Sequence, residues 1–232
     1  MAKIIFYTSL VIIFSGCSFF GERIKSNLYK ASKNVNCYIN TDIKDSVKRV
    51  LVMPVSFNSS QGKINDYIYK TLTLNLAKYN YFEVLTYKDF SDDTIGKLSE
   101  SFKDKASGKY NLSIIQAFGN TNRIDAILFP EVTFFRSYKP LLFGYKHIMI
   151  ETSKGQIVWS VDDVFDMANR EIDILAKNWY YNTHNEDMNP SFQAEIMDIS
   201  MNNFINFVFS VFCETWRFKE TPGSQKDTVA EK

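Results

Sequence analysis

The chain has 232 residues, with 27 Lys and Arg against 26 Asp and Glu and a formal net charge of +1. That balance offers no basic excess for a nucleic-acid backbone or an anionic membrane surface, so neither is expected as a charge-driven partner. The 20 Phe and 13 Tyr fill a core or face a partner, and the core is the default expectation.

Met1-Ala2-Lys3 is a short basic start, and Ile4 to Phe14 is an apolar run. The run is well short of the roughly 20 residues a membrane helix needs, and it has the length of a signal-peptide core. Phe14-Ser15-Gly16-Cys17 then places two small residues before a cysteine. This resembles a bacterial lipobox, with Phe14 standing where Leu is usual. The resemblance implies cleavage of residues 1–16, acylation of Cys17 (palmitate among the acyl groups), and a membrane partner reached through the lipid anchor. Ser18 follows the cysteine where Asp is associated with inner-membrane retention. The expected location is therefore the outer membrane, facing the periplasm.

Residues 17–48 are polar, with little periodicity, and read as the lipidated cysteine and a tether. Arg49 to Val55 is a compact apolar run ended around Pro54, the first strand. Ile64, Ile68, Leu72 and Leu76 recur every four residues, which predicts an amphipathic helix over Lys63 to Lys78. Tyr81 to Leu85 is a second strand. Asp89 to Lys109 is charged, with a short helix over Asp93 to Phe102. Leu112 to Phe118 is another helix, stopped at Gly119-Asn120. Arg123 to Phe135 reads as a long strand, at an edge or bulged where Pro130 lacks a donor.

Leu142 to Glu151 and Gln156 to Val161 flank Ser153-Lys154-Gly155 as a hairpin. Trp159 is expected to be buried, packing that hairpin against a helix. Asn169 to Tyr181 is helical, His184 to Asn189 a loop, and Pro190 opens a last helix carrying Ile196, Ile199, Phe204, Phe207, Val208 and Val211. Residues 219–232 read as a disordered tail. The expected domain is residues 49–218, an α/β fold of one domain: a mixed sheet of about five strands with an antiparallel C-terminal hairpin, and helices packed on it.

Chemistry-bearing motifs are sparse. His147 and His184 are far apart in sequence, and no Cys or His pair has metal-ligand spacing. Neither a Gly-rich phosphate loop nor Gly-x-Ser-x-Gly is present. Asp162, Asp163 and Asp166, with Glu171 and Asp173 nearby, could hold calcium, but they fit better as the end of a strand and the cap of the next helix. Cys37 and Cys213 either pair in an oxidising compartment or stay reduced, with Cys213 a small buried hydrophobe. No cofactor, metal or enzymatic activity is expected. The candidate partner-contact residues are Phe135, Tyr138, Leu141 and Phe143, around the Lys139-Pro140 turn.

These pieces together resemble the periplasmic lipoproteins built on the CsgG-like and TolB-N-terminal-like α/β domain, which include lipoprotein activators of penicillin-binding proteins. The resemblance rests on Arg49-Val50-Leu51-Val52-Met53-Pro54, Tyr81-Phe82-Glu83-Val84-Leu85, Ile124 to Val132, and Thr152 to Ser160. It implies a membrane-anchored protein that binds or scaffolds a cell-envelope assembly through an envelope protein partner. The alternative it implies is a homo-oligomer, one subunit of an outer-membrane secretion or export channel.

Overall fold

The structure is a computed structural model that describes residues 28–57, 62–90, 101–104, 107–184 and 190–218. The signal segment, Cys17, residues 93–100 of the expected short helix and the C-terminal tail lie outside these residues. The expected α/β class holds: one mixed sheet carries helices packed on it. It has six strands, not about five. They are β1 (Cys37–Ile39), β2 (Arg49–Val52), β3 (Glu83–Thr86), β4 (Ala126–Arg136), β5 (Leu142–Glu151) and β6 (Ile157–Asp166). Their order is β1-β6-β5-β4-β2-β3. β2 is parallel to both β3 and β4, while β4, β5, β6 and β1 run antiparallel in turn.

The sixth strand comes from the expected tether, which is corrected from residue 28 onward. Residues 28–33 are helical, with Leu28, Ala31 and Val35 buried at three- and four-residue spacing. β1 pairs with β6 from Cys37 opposite Val161 to Ile39 opposite Trp159. Short helix α1 (Thr41–Lys44) follows, capped by the Asn40 side chain accepting from Asp42 N at 3.1 Å.

Helix α2 (Gly62–Tyr79) matches its four-residue apolar spacing, burying Ile68, Leu72 and Leu76. Helix α3 (Leu112–Asn122) runs past the expected stop at Gly119. Gly119 serves close approach: a Cβ there would collide with the Thr152 side chain. The turn away from the helix falls at Arg123, with φ 55°. Helix α4 (Arg170–Thr183) starts at Asn169, whose side chain accepts from Glu171 N at 2.8 Å. The single last helix expected from Pro190 is two, α5 (Pro190–Ile199) and α6 (Met201–Phe218), broken at Ser200.

Two apolar layers result. On one face α6 lays Phe204, Phe207, Val208, Phe209, Val211 and Phe212 over Phe143, Tyr145, Trp159, Val161 and Phe165. Trp159 is buried as expected, and its indole N–H donates to Thr215 Oγ1 at 3.1 Å. Each fully buried large apolar side chain contributes roughly 1.5–3 kcal/mol of transfer free energy. The other face is covered by α3 and Phe102, against Leu51, Met53, Ile127 and Ile150. Cys37 and Cys213 form no disulfide, and Cys213 is buried on α6. Burial pushes its thiol far up.

Candidate functional site

The chain leaves β2 through α2 to reach β3 on one side, then returns to β4 on the other side of β2. The carboxyl ends of β2 and β4 therefore flank a topological switch point, the place where α/β sheets open a crevice. A crevice of about 540 Å³ lies there, lined by Met53 to Ser56, Phe129 to Glu131, and Lys103, Asp104, Gly108 and Tyr110.

Two prolines hold it open. Met53 N donates to Leu128 O at 2.9 Å, the last regular ladder bond between these chains. Pairing resumes only where Ser56 N donates to Pro130 O and Val132 N to Ser56 O, both at 2.9 Å. Pro54 and Pro130 lie in the gap and supply no N–H to close it. The expectation that Pro130 marks an edge or a bulge is thus corrected: β4 is an interior strand, and its bulge lies further on, between Val132 and Phe134.

The crevice floor is aromatic. Phe129 lies 4.7 Å from Tyr110 and 5.9 Å from buried Phe102, measured between ring centroids. Lys103 Nζ stands 3.6 Å from Glu131 Oε2 and 5.6 Å from the Tyr110 ring centre. Both partners of that ion pair are well solvated, so it contributes at most about 1 kcal/mol. Burial, reinforced by the Glu131 charge, pushes the Tyr110 hydroxyl up to about 12. It stays protonated, a hydrogen-bond donor, across the physiological range.

Beyond the crevice the same sheet face is exposed. Register places Phe134, Gly144 and Val164 side by side on β4, β5 and β6. Phe134 is 57 % exposed, and Val164 is exposed beside it. Gly144 is required there: a Cβ on it would come within 2.9 Å of Phe134 and 2.5 Å of Thr133 Oγ1. Flanking rows are charged. Glu131, Lys146 and Asp162 form one, and Arg136, Leu142 and Asp166 the other, with Arg136 Nη2 3.2 Å from Asp166 Oδ1.

The β4–β5 turn displays Tyr138, 72 % exposed. It is fixed from both sides. Arg136 Nε donates to Pro140 O at 2.6 Å, and Lys139 Nζ reaches Asp198 Oδ2 on α5 at 2.6 Å. Lys177 joins Asp198 from α4 at 2.7 Å. Burial pushes the Asp198 carboxyl up, but the bonds from Lys139 and Lys177 outweigh it and hold the group below the usual carboxylate range.

The contact residues read from the sequence separate. Tyr138 is on the surface. Phe135 is half-buried, its ring 5.5 Å from Phe57 and 6.4 Å from Phe143. Leu141 and Phe143 are fully buried and are removed from the contact surface. The bulge is the cause. It turns Thr133 and Phe134 outward together and returns Phe135 to the core side, inverting the alternation. Phe134 and the crevice were missed. The facing Pro54 and Pro130 were the available signal.

The acidic group does not assemble as expected. Asp162 and Asp163 lie within β6, and Asp163 Oδ2 accepts from Asn36 N at 3.1 Å. Asp166 accepts from Ala168 N, while Asn169 is the helix cap. Among the described residues, no group of three or more His, Cys, Asp or Glu could hold a metal ion. A smaller cavity of about 300 Å³ at the amino ends of the parallel strands includes Asp125 and Glu151. Asp125 accepts from Lys48 N and Arg49 N, and Glu151 from Ser153 N and Lys154 N, so both secure turns.

No family model matches the chain, and no curated protein matches it. Among solved structures it is similar to the PelC dodecamer from Paraburkholderia phytofirmans, with 10% identity, 77% of this chain and 96% of that chain covered, and TM-score 0.42. It is also similar to lipoprotein GNA1162 from Neisseria meningitidis, with 17% identity, coverage of 51% and 79%, and TM-score 0.34. A third is the LpoB C-terminal domain from Salmonella enterica, with 14% identity, coverage of 51% and 82%, and TM-score 0.35. At these identities and scores, nothing about activity, assembly or partner passes from them to this chain.

Proposed function

We propose that this chain is a lipoprotein anchored in the outer membrane through Cys17. Its domain faces the periplasm and docks an envelope protein as a binding or scaffolding component, without catalysing a reaction. The anchor is supported by the basic start, the apolar run from Ile4 to Phe14 and the Ser15-Gly16-Cys17 context. The observation that carries docking is the exposed sheet face. Phe134 over Gly144, with Val164 beside it and Tyr138 at the fixed turn, presents apolar side chains on a rigid surface. Aromatic anchors on such a surface dominate interface energy. A channel subunit would need further strands to build a barrel. β5 is already bonded along its length to β4 and β6, which favours the docking reading over that one.

The anchor is tested by labelled palmitate and fractionation of cells carrying Cys17→Ala. The variant is expected to lose the label and leave the membrane fraction. Retention of both would end the lipoprotein reading.

A further inference from the structure

The near-neutral total charge conceals a local asymmetry in the stretch that follows Cys17. Between Ser18 and Thr41 the sequence holds Arg23, Lys25, Lys30 and Lys33 against a single acid, Glu22. Lys30 and Lys33 lie on the helical segment 28–33 that leads to β1. Leu28, Ala31 and Val35 turn one side of this stretch into the core shared with α6, and Ser32 is buried with them. At about 100° per residue, Tyr29, Lys30 and Lys33 fall together on the opposite side, and all three are exposed. Lys33 Nζ stands 4.6 Å from the Tyr29 ring centre. Neither lysine has an acidic partner among the described residues. The segment is fixed to the sheet edge, where Asn36 N donates to Asp163 Oδ2 and Asp162 N to Asn36 O, both at 3.1 Å. Leu28 follows Cys17 by eleven residues. Covalent geometry limits that reach to about 40 Å, whatever the conformation.

We propose that this outward face rests on the anionic phospholipid surface that holds the Cys17 acyl chains. Tyr29 sits at the headgroup level, where an amphipathic ring is favoured, and Lys30 and Lys33 pair with lipid phosphates. The short reach from Cys17 keeps the face beside that surface, so contacts weak in themselves need no second encounter. The inference rests on the lipoprotein reading and adds a second membrane contact to it, one that sets how the domain stands on the bilayer. The buried side of the segment belongs to the core on the opposite face of the sheet from Phe134 and Val164. The apolar shelf therefore stays open to a protein.

The test uses the full-length acylated chain in vesicles of phosphatidylcholine and phosphatidylglycerol, some headgroups carrying a nitroxide. A fluorescent coumarin amino acid replaces Asn34, exposed beside the lysines, or Leu74, exposed on α2. Flotation of the vesicles reads the anchor in the same samples. Quenching at position 34 is expected to exceed that at position 74 severalfold. It is expected to fall when phosphatidylglycerol is omitted, and at high salt, which screens exposed charge. Lys30→Gln and Lys33→Gln are each expected to lower the ratio of contacting to free domain by about fivefold. Their melting temperatures are expected to match the parent's, since both side chains are exposed. Mere nearness to the anchor would survive all of these changes. Equal quenching at 34 and 74, or quenching at 34 indifferent to phosphatidylglycerol and to both lysines, would overturn the proposal and leave the anchor standing. A chain that failed to float would end both.

Discussion

Replacing His147 by Leu is expected to stabilise this protein, most of all in acid. His147 lies on β5, fully buried beneath α6. Its ring centre is 4.2 Å from Trp159, 5.5 Å from Tyr145 and 6.5 Å from Phe212. Neither ring nitrogen has a hydrogen-bond partner. Each buried, unsatisfied polar atom costs about 1–3 kcal/mol, while the lost ring contacts are worth about 0.5–1.5 kcal/mol. The balance at neutral pH favours Leu by roughly 1–3 kcal/mol. Acid adds a second term. Burial pushes the His147 pKa down to about 3 from the ordinary 6.5. Between those values the unfolded chain binds a proton that the folded chain refuses. Stability conferred by the neutral ring is therefore complete above pH 6.5 and is lost as pH falls toward 3. Each pH unit in that window removes about 1.4 kcal/mol, so the step from pH 6.5 to 4.5 removes roughly 3 kcal/mol. The Leu variant lacks this slope. Urea unfolding at pH 7 and pH 4.5 reads both effects. Parallel losses in the two proteins would show that the His147 site is solvated and refute the reasoning.

Further expectations follow from the same packing. Trp159→Ala removes a buried indole and its bond to Thr215, and is expected to cost about 3–5 kcal/mol; an unchanged melting temperature would contradict the placement. Leu141→Ala is expected to cost about 2–5 kcal/mol, because Leu141 belongs to the core. Phe134→Ala is expected to change stability by less than about 1 kcal/mol while lowering partner recovery. Gly144→Ala forces Phe134 off its shelf, so partner recovery is expected to fall although the substituted residue makes no outward contact. Normal recovery from that variant would show that the shelf geometry is not what the partner reads.

The sequence carried the fold where apolar periodicity was strong. α2 and the β5–β6 hairpin were legible because their spacings belong to one element type. β1 was not: three residues give too little alternation to register, and the 28–35 helical spacing that leads to it was hidden among Lys, Asn and Ser. β6 was read too short because Asp162, Asp163 and Asp166 look like a strand end and a helix cap, although the outer face of the sheet accepts Asp162 and Asp166, and Asp163 takes a bond from Asn36 N. The site was harder. A one-residue bulge inverts which of Phe134 and Phe135 faces out, and no local pattern announces it. The crevice needs β2 and β4 to be neighbours, which is a property of topology and not of either segment alone. Pro54 and Pro130 were visible throughout, but only pairing brings them face to face.

The most direct measurement is site-specific photo-crosslinking in intact cells. A photoreactive phenylalanine analogue is placed at Phe134, at Tyr138 and, as comparison positions, at Leu74 and Ile157, which are exposed apolar residues away from the turn. The docking account expects one discrete cross-linked product from positions 134 and 138, absent from 74 and 157 and reduced by Gly144→Ala. Products of equal yield from all four positions, or none from 134 and 138, would contradict it.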